Sequence, residues 1–251
     1  MTRIATAASK QRKLVIAAGI VILAAALAGS LYLTKRSAFR SQASEALFKA
    51  RTKLAADLKS YGDSLAPAKE AKKAESTAKD AKGKAAKKET PVAPSLEFAK
   101  FDVSEKLKDG VAALEKVAED FPGTMAGFDA RMELGGLYFD HATGPADYEH
   151  ASQWFGSAST TAPGNEQTIA ALYNLGYAQE ALGKCADSVK TFDRALNSGS
   201  GPLLGELLLS KARCQETLGD KAGAKATYEN VIKQLPNTES AKTAETKKAT
   251  L

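Results

Sequence analysis

Apolar and polar positions divide the chain into segments of different character. From 14 to 33 the sequence reads LVIAAGIVILAAALAGSLYL, twenty positions without a charge. At 1.5 Å per helical residue this run spans about 30 Å, the thickness of a bilayer hydrocarbon core. Lys10, Arg12 and Lys13 close one end and Lys35 and Arg36 the other, and Tyr32 stands where an interfacial aromatic is expected. Further on, Ala43, Leu47, Ala50, Leu54, Leu58, Tyr61 and Leu65 recur at spacings of three and four, one face of an amphipathic helix. That stripe predicts a partner surface, and the chain's own next helix is the favoured one. Between 66 and 95 Ala and Lys dominate and no large apolar residue precedes Val92, so the segment reads as a flexible tether. From 97 to 236 the periodicity is helical again, with Gly and Pro confined to the apparent turns.

Within this last stretch a pattern repeats. Phe155, Phe192 and Tyr228 lie 37 and 36 residues apart, and each follows a small residue by four positions: Ala151, Ser188 and Ala224. Phe155 and Tyr228 are followed eight positions later by Pro163 and Pro236, and Leu114 and Pro122 share that spacing, the mark of an additional second-helix half. Upstream, Leu134-Gly135-x-x-Tyr138, Leu172-x-x-Leu175-Gly176 and Leu208-x-x-x-Ala212 provide matching first helices, the first unit carrying four extra residues in its turn. These features resemble the tetratricopeptide repeat, a helix-turn-helix unit of about 34 residues. Small residues let two helices approach, an aromatic fills the gap beside them, and proline stops the second helix.

The expected architecture is therefore all-α: an N-terminal transmembrane helix followed by a tetratricopeptide solenoid. Residues 1–13 form a basic tail, 14–34 the membrane helix, 35–65 a post-membrane amphipathic helix and 66–95 the tether. The repeat domain covers 96–236, and 237–251 is a polar C-terminal tail, either a solvated cap or disordered. Ala26-Leu27-Ala28 before Gly29 also fits a signal-peptidase site, but the apolar run continues through Leu31 and Leu33, which favours retention.

Charge refines this picture. The net charge is +6, yet residues 1–13 carry +4, residues 35–90 carry +8 and residues 91–251 carry −6. The basic excess flanks the apolar run, as expected for anionic headgroups, and the acidic repeat region excludes nucleic acid. A Lys/Arg count alone would keep the C-terminal side in the cytoplasm. A short basic tail ahead of an apolar run argues the reverse, so the N-terminus is placed in the cytoplasm and the bulk of the chain outside it.

Residues suited to catalysis are scarce. There are two histidines and two cysteines, and no Gly-rich phosphate loop, GxSxG elbow or HExxH. His141 and His150 crowd a turn with Asp140, Asp147 and Glu149, but the spacing matches no metal-ligand motif, and an exposed polar turn accounts for them. No enzyme activity, metal or cofactor is expected. Cys185 and Cys214 fall on neighbouring helices of the repeat architecture, which allows either a disulfide or two buried free thiols.

The repeat resemblance implies a concave face lined by first helices, carrying Met132, Phe139, Tyr173, Asn174, Tyr177, Leu209 and Arg213. Asn174 stands where some tetratricopeptide proteins contact a peptide backbone. Glu206 and Ser210 replace the basic residues of a carboxylate clamp, so that clamp is not expected. Tyr173 and Tyr177 read either as groove side chains or as packing between helices. At a finer level, the membrane helix followed by SAFRSQASEALFKA, GFDARMELGGLYFD, ALYNLGYAQEALGKCADSVKTFDRAL and SKARCQETLGDKAGAKATYENVIK is similar to the ancillary-subunit family of the bacterial Sec translocon. The tether and the lengthened first turn depart from that pattern. The resemblance implies single-pass anchoring in the inner membrane, a periplasmic repeat domain, and contact with translocon components, periplasmic chaperones or exported chains. Alternatives are a cell-envelope assembly or division adaptor, or a structural subunit that self-associates through 43–65.

Overall fold

In a computed structural model the backbone is described for residues 2–79, 99–199 and 201–251; of these, the side chains of 2–22, Ala24 and 66–79 are not described. Every element among the described residues is helical. α1 spans Thr2–Lys79, followed by the short α2 (Val103–Lys106), α3 (Lys108–Asp120), α4 (Met125–Asp140) and α5 (Pro145–Thr161). After these come α6 (Asn165–Ala181), α7 (Cys185–Asn197), α8 (Leu204–Thr217), α9 (Lys221–Gln234) and α10 (Glu239–Lys248). Contacts divide the chain into Met1–Glu45 and Ala46–Leu251.

The described part of the first unit, residues 2–45, lies within the start of α1, where Leu23, Leu27, Leu31 and Leu33 are exposed. Among the described residues no helix is long and apolar enough to cross a membrane, and the side chains of the expected span over 14–34 lie outside that description as far as Ile22. The tether expected over 66–95 is helical in backbone as far as Lys79, and its remainder lies outside the described residues.

Ala46–Leu251 is a stack of paired helices. α4 packs on α5, α6 on α7 and α8 on α9, while the first helices α4, α6, α8 and α10 touch one another in succession. Each pair is closed by one contact. Phe155 lies against Gly135 and Phe192 against Gly176, where a Cβ would fall inside the ring. In the third pair Ala212 and Tyr228 hold the same positions, both buried. A second link repeats with them: Thr191 donates to Gln179 (2.8 Å) and Thr227 to Gln215 (2.7 Å), 36 residues apart. The turns repeat as well. Gly183 and Gly219 adopt φ of 72° and 77°, and Lys184 and Asp220 donate back to the carbonyls of Gln179 and Gln215 at 2.8 and 2.9 Å. This is the left-handed stop that glycine permits at least cost.

The two ends of the stack share a further turn. Phe121-Pro122-Gly123-Thr124 and Leu235-Pro236-Asn237-Thr238 each place a positive φ at the third residue, and the threonine hydroxyl caps the next helix. α3 is thus a second helix, as the Leu114–Pro122 spacing predicts, and α10 is a first helix. Of the two readings of 237–251, the structure has the cap: α10 closes the stack with Ala241 and Ala244 buried, and Ala244 joins the core of Leu208, Tyr228 and Val231. Small side chains on an otherwise charged helix give a stripe too weak to read without its neighbour.

The stripe over 47–65 finds its partner inside the chain. Gly110 of α3, four positions before Leu114, lies directly against Leu54, the place that Ala151, Ser188 and Ala224 hold in later pairs. Asp57 accepts the Gly110 N–H at 2.8 Å, capping a helix whose own N-cap residue, Leu107, offers no side-chain oxygen. Tyr61 packs on Phe101 at 4.7 Å, and Arg51 pairs with Glu133 of α4. This part of α1 therefore acts as the first helix of an initial pair with α3, and the repeat region extends beyond 96–236 at both ends. Leu54 and Tyr61 of the stripe are thus covered from within the chain, by α3 and Phe101, as favoured from the sequence.

A further correction concerns the first full repeat. Its four extra residues do not all lengthen the turn. Phe155 is the eleventh residue of α5, whereas Phe192 and Tyr228 are the eighth of α7 and α9, so three of the four extend the helix. Pro145 at its first turn suits that extension. Arg131 is buried without a carboxylate, donating to the Ala118 and Gly127 carbonyls and to Ser157 Oγ (3.0 Å). Burial lowers its pKa, and its fork ties α3, α4 and α5 together.

Gly176→Ala should lower stability by about 1–3 kcal/mol through overpacking against Phe192, despite the better helix propensity of alanine. A urea midpoint equal to or above that of the parent chain would show that the ring has room.

Candidate functional site

A hollow of about 240 Å³ opens between α4 and α6, lined by Phe139, Asp140, Phe155, Tyr173, Asn174 and Tyr177. Tyr173 and Tyr177 are one turn apart on α6 and so share a face, their rings edge to face at 4.8 Å. Tyr177 also meets the edge of Phe192 at 6.2 Å, and Phe139 meets Tyr148 of α5 at 5.4 Å. Phe155 reaches the hollow because Gly135 lets its ring lie directly on α4.

Polar contacts hold these rings in place. Ser210 of α8 donates to the Tyr177 hydroxyl at 2.9 Å. The Arg213 guanidinium stacks over the Tyr177 ring at 5.4 Å and bonds both oxygens of Glu180, the Nη2 contact at 2.6 Å. Glu180 raises the Arg213 pKa above its ordinary value, so the charge is fixed. Burial pushes the Tyr177 hydroxyl up, but bonds from Ser210, Tyr173 and Arg213 outweigh it and hold it below the ordinary phenol value. Burial, then the bond to Tyr177, raises Tyr173. Asn174 donates one amide proton to the Ala170 carbonyl at 2.9 Å, leaving its own oxygen as an acceptor beside the hollow.

The structure thus brings together Phe139, Tyr173, Asn174 and Tyr177, with Arg213 behind Tyr177. Met132 and Leu209 lie elsewhere. Met132 packs on Phe128, Ala158 and Ala171, and Leu209 packs on the core around Leu208 and Tyr228. A first helix has faces toward its own second helix, toward its neighbour and toward the open side. These two sit one step off the open side, which repeat alignment alone does not resolve. Asp140 and Phe155 are the lining residues that sequence reasoning missed. Phe155 reads from spacing as a core aromatic, and Asp140 as one more charge in a turn.

In that turn Asp140 and His150 are exposed as expected, and one residue departs from the reading. His141 is buried, stacked on Phe101 at 4.3 Å, and its Nδ1 lies 2.8 Å from the Ala99 carbonyl. It anchors the segment that leads into α2. His150 is exposed beside Tyr138, and among the described residues no three His, Cys, Asp or Glu side chains gather as a metal site.

Cys185 and Cys214 are both buried free thiols. They face each other across α7 and α8, with Ser188 alongside, and burial pushes the Cys214 thiol up to about 12.

Comparison with protein families identifies tetratricopeptide repeats at residues 170–198 and 206–238, which fall on the pairs α6–α7 and α8–α9. No curated protein matches the chain.

Two measurements follow from the thiols. Denaturation without reductant should expose two alkylatable cysteines by mass spectrometry; a mass unchanged by alkylation would mean that the thiols are joined. The folded Cys214 pKa lies above its unfolded value, so its contribution to stability is complete below about pH 8.5 and is lost as pH rises toward 12. Urea midpoints should fall across that alkaline range less steeply in Cys214→Ala than in the parent chain, and equal slopes would refute the assignment.

Proposed function

We propose that the chain is a membrane-anchored scaffold whose tetratricopeptide stack grips segments of other polypeptides in the aromatic hollow between α4 and α6. The observation that carries this reading is the convergence of Phe139, Tyr173, Asn174 and Tyr177 on an open first-helix face, their rings fixed by Ser210, Arg213 and Glu180. Pre-ordered aromatics bind with little loss of side-chain freedom, and a groove of mixed polarity suits an extended or helical segment. The role is binding and not catalysis.

The anchoring part of the proposal draws on the uncharged run over 14–33 and its basic flanks. In this reading residues 14–34 span the inner membrane once, the N-terminus is cytoplasmic and the repeats are periplasmic. The job is assistance to protein export or folding beside the Sec translocon. The support for that last step is the sequence resemblance given above.

A photocrosslinking residue in place of Phe139 in the full-length chain should capture polypeptides in cells, whereas the same residue in place of exposed Lys190 on α7 should not. Equal capture at both positions would count against the groove. The chain should also stay with membranes through an alkaline carbonate wash, and release into the supernatant would overturn the anchor.

A further inference from the structure

We propose that the hollow between α4 and α6 receives a cationic side chain, a lysine or arginine of the bound polypeptide. This rests on the groove reading above and names what the groove selects. The volume of about 240 Å³ is smaller than the roughly 300–1,000 Å³ of small-molecule pockets and suits a single side chain. Four of its six lining residues are aromatic, and ring faces carry the negative end of a quadrupole that attracts ammonium and guanidinium groups. The two remaining residues contribute the Asp140 carboxylate and the Asn174 amide oxygen, both acceptors for N–H donors.

The surrounding charges point the same way. No Lys or Arg lines the hollow. The nearest guanidinium, Arg213, is neutralised by Glu180 and already stacks on Tyr177, so one of these rings demonstrably hosts a cation within the fold. Lys100 donates to the backbone carbonyl of Asp140 at 2.9 Å, and among the described residues no ion pair engages the Asp140 carboxylate. Glu206 adds negative potential at Tyr173. An anionic guest would be repelled by the Asp140 carboxylate and by the electron-rich ring faces. A purely apolar guest would strip water from Asp140 without replacing its bonds. A cation on an aliphatic stem satisfies both the rings and the carboxylate.

The test uses the full-length chain in detergent and fluorophore-labelled nine-residue Gly/Ser peptides with a central Arg, Lys, norleucine or Glu, read by fluorescence anisotropy. The Arg and Lys peptides should bind about ten-fold more tightly than the norleucine peptide. Asp140→Asn, at an exposed position, should reduce that preference to within about two-fold. Phe139→Leu should weaken the Arg peptide more than the norleucine peptide. Equal binding of Arg and norleucine, preference for Glu, or a preference that survives Asp140→Asn would overturn the cationic assignment. In the case of equal binding the groove reading stands. If no peptide binds and a crosslinker at Phe139 captures nothing, both readings fall.

Discussion

The stack depends on a residue no larger than alanine at one point of the first helices α4, α6 and α8. Where Gly135 and Gly176 face Phe155 and Phe192, the two helices close to a distance that a methyl group would forbid, and the ring fills the space beside them. The third pair accepts Ala212 against Tyr228, so the requirement is smallness and not glycine itself. The other regularities follow from this approach. The Thr–Gln bonds fall into register, the glycine turns must reverse the chain within three residues, and the small residue on the second helix meets the facing backbone. Dense packing makes such a contact intolerant of added volume, which is why it recurs in each pair.

The same contact shapes the hollow between α4 and α6. Because Phe155 can lie directly on α4, its ring reaches through to the hollow on the open side, joining residues from α4 and α6 that have no other reason to meet. Tyr177 performs two tasks at once, with one edge on Phe192 in the core and its hydroxyl in the network of Ser210 and Arg213. Core packing and the lining of the hollow are therefore not separable in α6.

Much of this was legible in the sequence, and the failures have physical causes. The repeat period, the paired small and aromatic positions and the extra second-helix half at Leu114 can be read directly, because spacing alone encodes them. Four of the seven expected groove residues line the hollow, and Arg213 supports it from behind. Met132 and Leu209 miss it by one helical step, since an alignment places a residue on a helix but not at an angle to its neighbours. α10 escaped because Ala241 and Ala244 are its core, and alanine gives almost no hydrophobic signal. His141 escaped because a histidine beside acids reads as polar until Phe101 is seen stacked on it.

The pairing of α1 with α3 also changes what the stretch between them is. Leu54 rests on Gly110 and Asp57 caps α3, so the chain leaving α1 and the chain entering α2 are both attached to one folded body. Both flanks of residues 66–98 thus belong to one compact unit, Ala46–Leu251. A peptide-bond break there would leave the two fragments associated through the Leu54, Asp57, Tyr61 and Arg51 contacts, and the molecule would behave as a two-piece complementation pair.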